Sequence, residues 1–518
     1  MTSTPRRVAV YNRYWNSRGG GERHSGMVAQ VLSLDGAEVD LVSHTEVDRD
    51  ALAKYLSLDL SRCRVRIVPD LGEDALGTLS ADYDLLVNAS YMSTIRSQAP
   101  HSLYLCYFPT PADHDLEAWR RLLIRGLGRF ARPGPGFLSL RWGTGWFPPE
   151  GGRRRRWTWT NGAARIELPA GKPLAIRFAA GRLAGPATEL EVCVNDTLLH
   201  KVTAEATFRP VTVQIPGATE PRLIEFRSDT FVPSASDPRT LGVAISRLRF
   251  NDRVINPRHL LATRFPWLLR DPNDLAFLDT YDVVLANSQY TESWIRRLWN
   301  RESEVLYPPI SVEHFTPAAE RAPKIVSAGR FFAPGQGHSK RQLELVQAFG
   351  RLIRMGQLSG WSLHLVGGCD DAQRDYLARV RAAAAGLPVS FHVNAPRGEL
   401  EELLSTASIQ WSATGYGEDE SKAPWASEHF GMTTVEAMAG GCVPIVIDKA
   451  GQREIVRDGI DGFRWRSIDE LLARTLEVIR DPELRARLST SAQQRAETYS
   501  DAAFATGLRR LIDEYGLL

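Results

Sequence analysis

The stretch Glu428-His429-Phe430-Gly431-Met432-Thr433-Thr434-Val435-Glu436-Ala437-Met438-Ala439-Gly440-Gly441 decides how this chain is read. Two glutamates bracket a glycine, and small residues follow the second at once. The spacing predicts Glu428 in a loop and Glu436 in the first turn of a helix whose end presses close to its neighbours. Such an arrangement suits a ligand with hydroxyls to grip and a phosphate to stabilise at a helix N-terminus. A plainer reading stands beside it. Thr433-x-x-Glu436 fits a capping box, in which both side chains merely satisfy amide groups at the helix end. The rest of the chain has to choose.

Outward from that stretch the texture is α/β. Strands are expected at Lys324 to Ala328, Ser362 to Val366, Val389 to His392, Ile409 to Ser412 and Val443 to Ile447, each followed by a helix-length segment. A similar alternation opens the chain. Arg7 to Tyr11, Glu38 to Ser43, Asp84 to Ala89 and Ser102 to Tyr107 read as buried strands, His24 to Leu34 as a helix, and Gly19-Gly20-Gly21 as the turn between the first strand and that helix. Both halves therefore predict parallel sheets with helices on both faces. Between about Arg132 and Arg253 the pattern switches to short alternating runs, among them Ala164 to Leu168, Leu190 to Val194 and Val211 to Ile215. Val194-Asn195-Asp196-Thr197 reads as a hairpin turn. This segment is read as an all-β sandwich inserted into the first α/β domain. Tyr281 to Ser288 returns to the first domain, and Tyr307-Pro308-Pro309-Ile310 marks the crossing to the second.

Length and composition narrow the class. The chain has 518 residues, enough for two or three domains, each with its own core. A net charge of only +2 calls for no nucleic-acid partner. The five cysteines are scattered without metal or disulfide spacing, which favours a reducing compartment. The opening residues lack the apolar core of a signal peptide, and no apolar run approaches a membrane span. A cytoplasmic location is expected.

The strand Lys324 to Ala328 delivers Arg330 at its C-terminal end, the edge where open α/β sheets bind ligands, and Lys340 follows after Gly335 to Ser339. Gly-Arg-Phe-Phe with a following lysine, the two spaced glutamates and the polar run Ser412 to Asp419 occur in one order. That order resembles the retaining, nucleotide-sugar-dependent glycosyltransferases of the two-Rossmann-domain (GT-B) class, in the large family 4 type. The likeness extends to the subgroup that includes lipid-linked mannosyltransferases. It covers roughly Arg7 to Arg132 and Thr263 to Leu518 and leaves the insert unexplained.

The resemblance implies roles. Arg330 and Lys340 look like the family's diphosphate-binding pair; a forked guanidinium and a compact ammonium neutralise a departing nucleoside diphosphate without a divalent metal. Glu428 is implied to contact the donor sugar near the reacting carbon, and Glu436 to grip the ribose diol. Main-chain amides of Phe430, Gly431 and Met432, with Thr433 beside them, would meet the sugar. The base would lie near His392-Val393-Asn394, with Val393 at its centre. Gly20 and Gly21 would belong to a loop closing over the diphosphate. No metal and no other cofactor is expected; the donor is the nucleotide sugar, the acceptor a hydroxyl on a glycan, a lipid-linked or a polysaccharide precursor. The domains implied are 1–132 with 257–307, the insert at 133–256, the donor domain at 308–500, and a returning helix at 501–518.

One departure stands out. Many relatives carry a histidine where this chain has Tyr107 before Phe108-Pro109, so that role is not carried over; His114 lies close by in sequence, and a surface or helix-start histidine is the commoner case. The segment 117–130 is basic and amphipathic. It reads either as a face for an anionic membrane surface, placing the protein at the membrane's inner side, or as a helix with one core-facing stripe. Arg153 to Arg156 with Trp157 and Trp159 suit sugar contact or the plain packing of the sandwich. Two rival functions follow from the same residues: a nucleotide-sugar epimerase, and a non-catalytic carbohydrate-binding protein working through the insert.

Overall fold

Short apolar runs too brief for helices build the sheets. The computed structural model describes residues 6–17, 19–68, 73–114, 116–131, 141–142, 145–147, 150–152, 155–168, 170–234, 237, 239–251, 267, 274–335 and 338–518. The expected insert boundaries at 132/133 and 256/257, together with Arg153 and Arg154, lie outside the described residues. Contacts divide the chain into two compact units: residues 1–67, 77–110 and 275–518 form one, and 68–76 with 111–274 the other. The second unit takes in the helix Ala118–Ala131, which the sequence reading placed ahead of the insert.

The chain begins with β1 (Arg7–Tyr11), β2 (Glu38–Ser43), β3 (Arg64–Ile67), β4 (Leu85–Asn88) and β5 (His101–Cys106). The second unit then contributes β6 (Arg141–Trp142), β7 (Glu150–Gly152), β8 (Arg155–Trp159), β9 (Ala163–Leu168), β10 (Leu174–Gly181), β11 (Thr188–Val194), β12 (Thr197–Ala204), β13 (Arg209–Ile215), β14 (Arg222–Ser228) and β15 (Ala244–Asn251). These make two five-stranded antiparallel sheets, ordered β13-β10-β15-β8-β7 and β12-β11-β14-β9-β6. Alternate residues such as Ile166, Leu168, Leu190, Val192, Val211 and Val213 fill the core between them. Asn195 and Asp196 both take positive φ, 47° and 64°, as the two-residue hairpin between β11 and β12 demands. Trp159 is buried beside Leu241, and Trp157 packs on Phe208, so both tryptophans serve this packing.

Connectivity then returns to the first unit with β16 (Val283–Ala286) and β17 (Glu304–Val305). The first sheet is fully parallel in the order β17-β16-β5-β4-β1-β2-β3. The second runs through β18 (Ala322–Ala328), β19 (Ser362–Gly367), β20 (Val389–Val393), β21 (Ala407–Ser412), β22 (Val443–Ile447) and β23 (Phe463–Trp465), ordered β20-β19-β18-β21-β22-β23. Its pairs are all parallel. Both sheets thus reverse direction beside their first strand, the doubly wound pattern that opens a crevice at the strands' C-terminal edge. Strand alternation sends Ile325 into one core and Val326 into the other, so helices cover both faces of the second sheet. The C-terminal helix Asp501–Tyr515 packs Phe504, Leu508 and Leu511 against the first sheet's core.

Three elements differ from expectation. The first helix starts at Gly20 rather than His24, because Glu22 reaches back to accept the Gly19 N–H at 2.7 Å and nucleates the turn inside the glycine run. β3 and β12 carry few buried residues; they are edge strands, which need little hydrophobic signal.

Candidate active site

Above the C-terminal ends of the strands of both parallel sheets lies a cavity of about 490 Å³. Gly19, Gly20 and Arg23 reach it from the turn after β1. Gly329 and Arg330 follow β18, Gly368 follows β19, Asn394 and Arg397 follow β20, and Met432, Thr433 and Glu436 belong to the helix Met432–Ala439 after β21. A Cβ placed on Gly20 would come within 2.7 Å of the Met432 sulfur, so the glycine turn and the helix start are in direct contact.

Glu436 does not cap its helix. Gly431, with φ of 121°, is the N-cap residue, and no side chain bonds to that end; the Thr434 N–H turns back to the Gly431 carbonyl at 2.9 Å, while Met432 and Thr433 line the cavity without a side-chain cap. Glu436 sits past the first turn and pairs instead with Arg397, Oε1 to Nη1 at 2.8 Å; its side chain is 6% exposed. Arg397 also donates from Nε to Glu401 at 2.9 Å. Burial draws the Arg397 guanidinium down, but Glu436 and Glu401 outweigh it and raise its pKa.

Lys340 and Glu428 form a second ion pair, each side chain under one-fifth exposed, with the Thr414 hydroxyl donating to the same carboxylate at 3.1 Å. Burial works to raise the Glu428 carboxyl; Lys340 more than offsets this and holds it below the ordinary range. Lys340 reaches this position by lying across Gly329. With φ of 148°, Gly329 occupies backbone space that side chains avoid, and a Cβ there would stand 2.6 Å from Lys340 Cγ and Cε.

The expected residues therefore fall into two adjoining groups. Gly20, Arg330, Met432, Thr433 and Glu436 line the cavity; Lys340 and Glu428 pair across Gly329 at its side. Gly21, Phe430, Gly431 and Val393 are absent from the lining. Phe430 is buried in the core, and Val393 packs against the core under β20, because strand alternation turns it away from the edge. Asn394, its neighbour, lines the cavity with φ of 55°; its side-chain oxygen accepts from the Cys369 N–H at 2.9 Å and its amide donates to the Cys369 carbonyl at 3.2 Å.

Several residues lay beyond the sequence reading. Arg23 is buried at the cavity wall and donates to both Asp501 oxygens, the Ser311 hydroxyl and the Leu56 carbonyl, each at 2.6 Å. It thereby ties the first helix to both chain segments that cross between the sheets; these also pair with each other, Ile310 N–H to the Tyr499 carbonyl at 3.0 Å. His429 stacks on Phe108 with centroids 4.1 Å apart, and His338 meets His429 edge-on at 4.4 Å. Burial pushes both imidazoles down, His429 furthest, so both are neutral near pH 7. Tyr107 donates to the Gly21 carbonyl at 2.8 Å and bonds the Ser25 hydroxyl. It props the glycine turn. In the second unit, His114 Nδ1 pairs with the Pro111 carbonyl at 3.2 Å. Only Arg23 had an available signal, its place in the glycine motif; its partner Asp501 is remote in sequence.

Residues 313–495 match the family Glycosyl transferases group 1. A GDP-Man:Man(3)GlcNAc(2)-PP-Dol alpha-1,2-mannosyltransferase from Xenopus laevis is 29% identical over 242 residues, 43% of this chain and 46% of that protein. The Homo sapiens protein of the same name is 28% identical over 241 residues, with the same shares. The matched part thus spans somewhat under half the length of these curated relatives. Among solved structures, Anabaena Alr3699/HepE in complex with UDP and glucose superposes with a TM-score of 0.52 at 12% identity, over 98% of this chain and 100% of that one. Sucrose-phosphate synthase from Thermosynechococcus elongatus gives 0.52 at 13% identity, over 98% of both. At such identity the likeness speaks for the fold, two Rossmann-like parallel sheets with antiparallel sheets added in the N-terminal half. With the matched domain seated in that framework, the chain has the GT-B fold, and its residues 313–495 are similar to the group 1 glycosyl transferases.

Proposed function

We propose that the protein transfers a hexose from a nucleotide-diphosphate sugar to a hydroxyl with retention of anomeric configuration. The observation that carries this reading is the cavity itself: a guanidinium, a helix N-terminus without a side-chain cap and a buried carboxylate face one space large enough for a nucleotide, and the Lys340–Glu428 pair adjoins it. In the proposed step the bond between the anomeric carbon and the distal phosphate oxygen breaks, and a bond to the acceptor oxygen forms on the same face. The acceptor's proton passes to the departing phosphate oxygen. Arg330 is suited to meet the charge that builds there. Its bond to Asp370 is long, 3.3 Å, and both side chains are more than half exposed, so a phosphate displaces the carboxylate at small cost. Lys340 supplies the second positive charge and Glu428 the contact near the reacting carbon. Glu436, held by Arg397, offers its remaining oxygen to the ribose hydroxyls. No divalent metal enters this scheme.

The relatives' names point to GDP-mannose and a lipid-linked glycan, whereas the Anabaena structure holds UDP and glucose. We propose a lipid-linked or growing glycan as acceptor and a mannosyl donor as the first to try. A thermal-shift panel of GDP-mannose, UDP-glucose and their nucleotides selects the donor; a ligand at a hundredfold its Kd adds about 2.7 kcal/mol. Donor hydrolysis and transfer are then measured in Glu428→Ala and Lys340→Ala. Losses of about 10²–10³ in kcat are expected; wild-type rates in both variants would refute the site. Conversion of the donor to an epimer in the absence of acceptor would refute the reaction type.

A further inference from the structure

The helix Ala118–Ala131 in the second unit carries two apolar surfaces, one packed and one largely exposed. Ile124 is buried and packs with Leu116, Leu123 and Trp267, which accounts for a core-facing stripe. Trp119 packs one edge against Trp267, with centroids 5.9 Å apart, and donates its indole N–H to Glu117 at 2.5 Å; its outer face and Leu122 are left at the surface. Trp119 and Leu122 are 53% and 71% exposed, and Leu122 is the most exposed large hydrophobic side chain among the described residues. Exposed Arg125 follows at the same three-residue interval, so the three share one ridge of the helix.

The charge on this helix is one-sided. Between residues 118 and 131 the sequence has four arginines and no acidic residue. Arg121 is spent locally, donating to the carbonyls of Asp113, His114 and Leu116. The Arg120 guanidinium lies over the rings of Trp119 and Trp267, 5.1 and 5.8 Å from their centroids, and pairs with Glu117, just before the helix, at 3.8 Å, so Arg125 carries the unbalanced charge of the ridge. Arg125 has no such duty in the contacts described. An amphipathic face with one indole, one large aliphatic side chain and unbalanced positive charge has the composition of an interfacial helix.

We propose that this helix docks the protein on an anionic lipid bilayer. Trp119 and Leu122 enter the headgroup–acyl boundary, and Arg125 meets lipid phosphates. The inference stands apart from the donor chemistry proposed above, since none of these residues lines the cavity. An acidic protein partner would match the charge equally well. The ridge presents only two apolar side chains, however, too few for the buried centre of a stable protein interface but enough for a peripheral membrane contact supported by charge.

The test uses the full chain with sucrose-loaded vesicles of phosphatidylcholine, with and without about one-third phosphatidylglycerol, at about 0.1 M salt. Co-sedimentation with the anionic vesicles, weak binding to the neutral ones, and release on raising the salt are expected. R125E changes two charges, each contributing about five-fold near an anionic surface, and should weaken partition about thirty-fold. W119S/L122S should lose at least about ten-fold. R125E should keep the wild-type melting temperature, because Arg125 is exposed, and both variants should keep donor hydrolysis, because none of the three residues lines the cavity. Failure of the wild type to bind anionic vesicles, or unchanged partition in both variants, overturns the proposal. So does concentration-dependent self-association that L122E abolishes in the absence of lipid, which assigns the ridge to a second copy of the chain.

Discussion

Replacing Arg397 by alanine asks whether Glu436 is a tethered carboxylate facing a ligand space. The two side chains meet at 2.8 Å, with Glu436 6% and Arg397 30% exposed. Removing one partner of a buried pair leaves an uncompensated charge and costs about 3–5 kcal/mol. Both residues line the cavity, so water reaches the orphaned oxygens, and the lower figure of about 3 kcal/mol is expected. In a domain of about 150–250 residues that loss lowers Tm by about 6–12 °C. R397A/E436Q removes the stranded charge as well and should recover about 2 kcal/mol relative to R397A alone. Calorimetry of wild type, R397A, E436Q and the double variant reads the coupling directly. Nucleotide titrations on the same samples should show R397A binding the donor nucleotide at least about ten-fold more weakly, with R397K intermediate. Identical melting of R397A and R397A/E436Q would refute the reasoning, because Glu436 would then never have depended on Arg397.

Other perturbations follow from the same geometry. His24 is buried between Tyr107 and Phe504, its ring nitrogens have no partner among the described residues, and burial drives its pKa down to about 3. The unfolded chain takes up that proton first, so the contribution is complete above pH ~6.5 and drains as pH falls, by about 1.4 kcal/mol at pH ~5.5. His24→Phe should flatten the acid slope of urea unfolding; parallel slopes in variant and wild type count against it. The depressed Glu428 carboxyl stabilises the fold above its unfolded value of about 4.3, and that stability is lost as pH falls through the folded pKa. Lys340→Ala removes what holds it down and should move acid unfolding to higher pH, read as a shifted midpoint in an acid titration. Gly329→Ala places a methyl group against Lys340 in a backbone region that side chains avoid. It should cost about 1–3 kcal/mol and lower kcat while leaving Arg397-dependent nucleotide binding in place. Equal loss of binding and turnover would show a general collapse of the edge instead.

Reading the sequence reached as far as local patterns carry. The alternation of apolar runs and helix-length segments foretold both parallel sheets, and Val194 to Thr197 foretold the hairpin, because period and turn chemistry are written in neighbouring residues. Edge strands β3 and β12 escaped, since a strand with one partner and a wet face needs little apolar signal. The helix start was misplaced by the glycines, whose turn is held by Glu22 from inside the helix.

The sequence by itself determined which chemical groups are available: Arg330 at a strand end, Lys340 after a loop, and two carboxylates around a helix start. Spacing fixes such placements because strands and helices have set periods. Tertiary structure alone decided their partners. Glu436 binds Arg397 rather than its own helix end, Lys340 crosses Gly329 to reach Glu428, and Arg23 finds Asp501 across almost the whole chain. Those pairings arise from strand order, which brings remote loops to one sheet edge, and no local pattern encodes which loops will meet there.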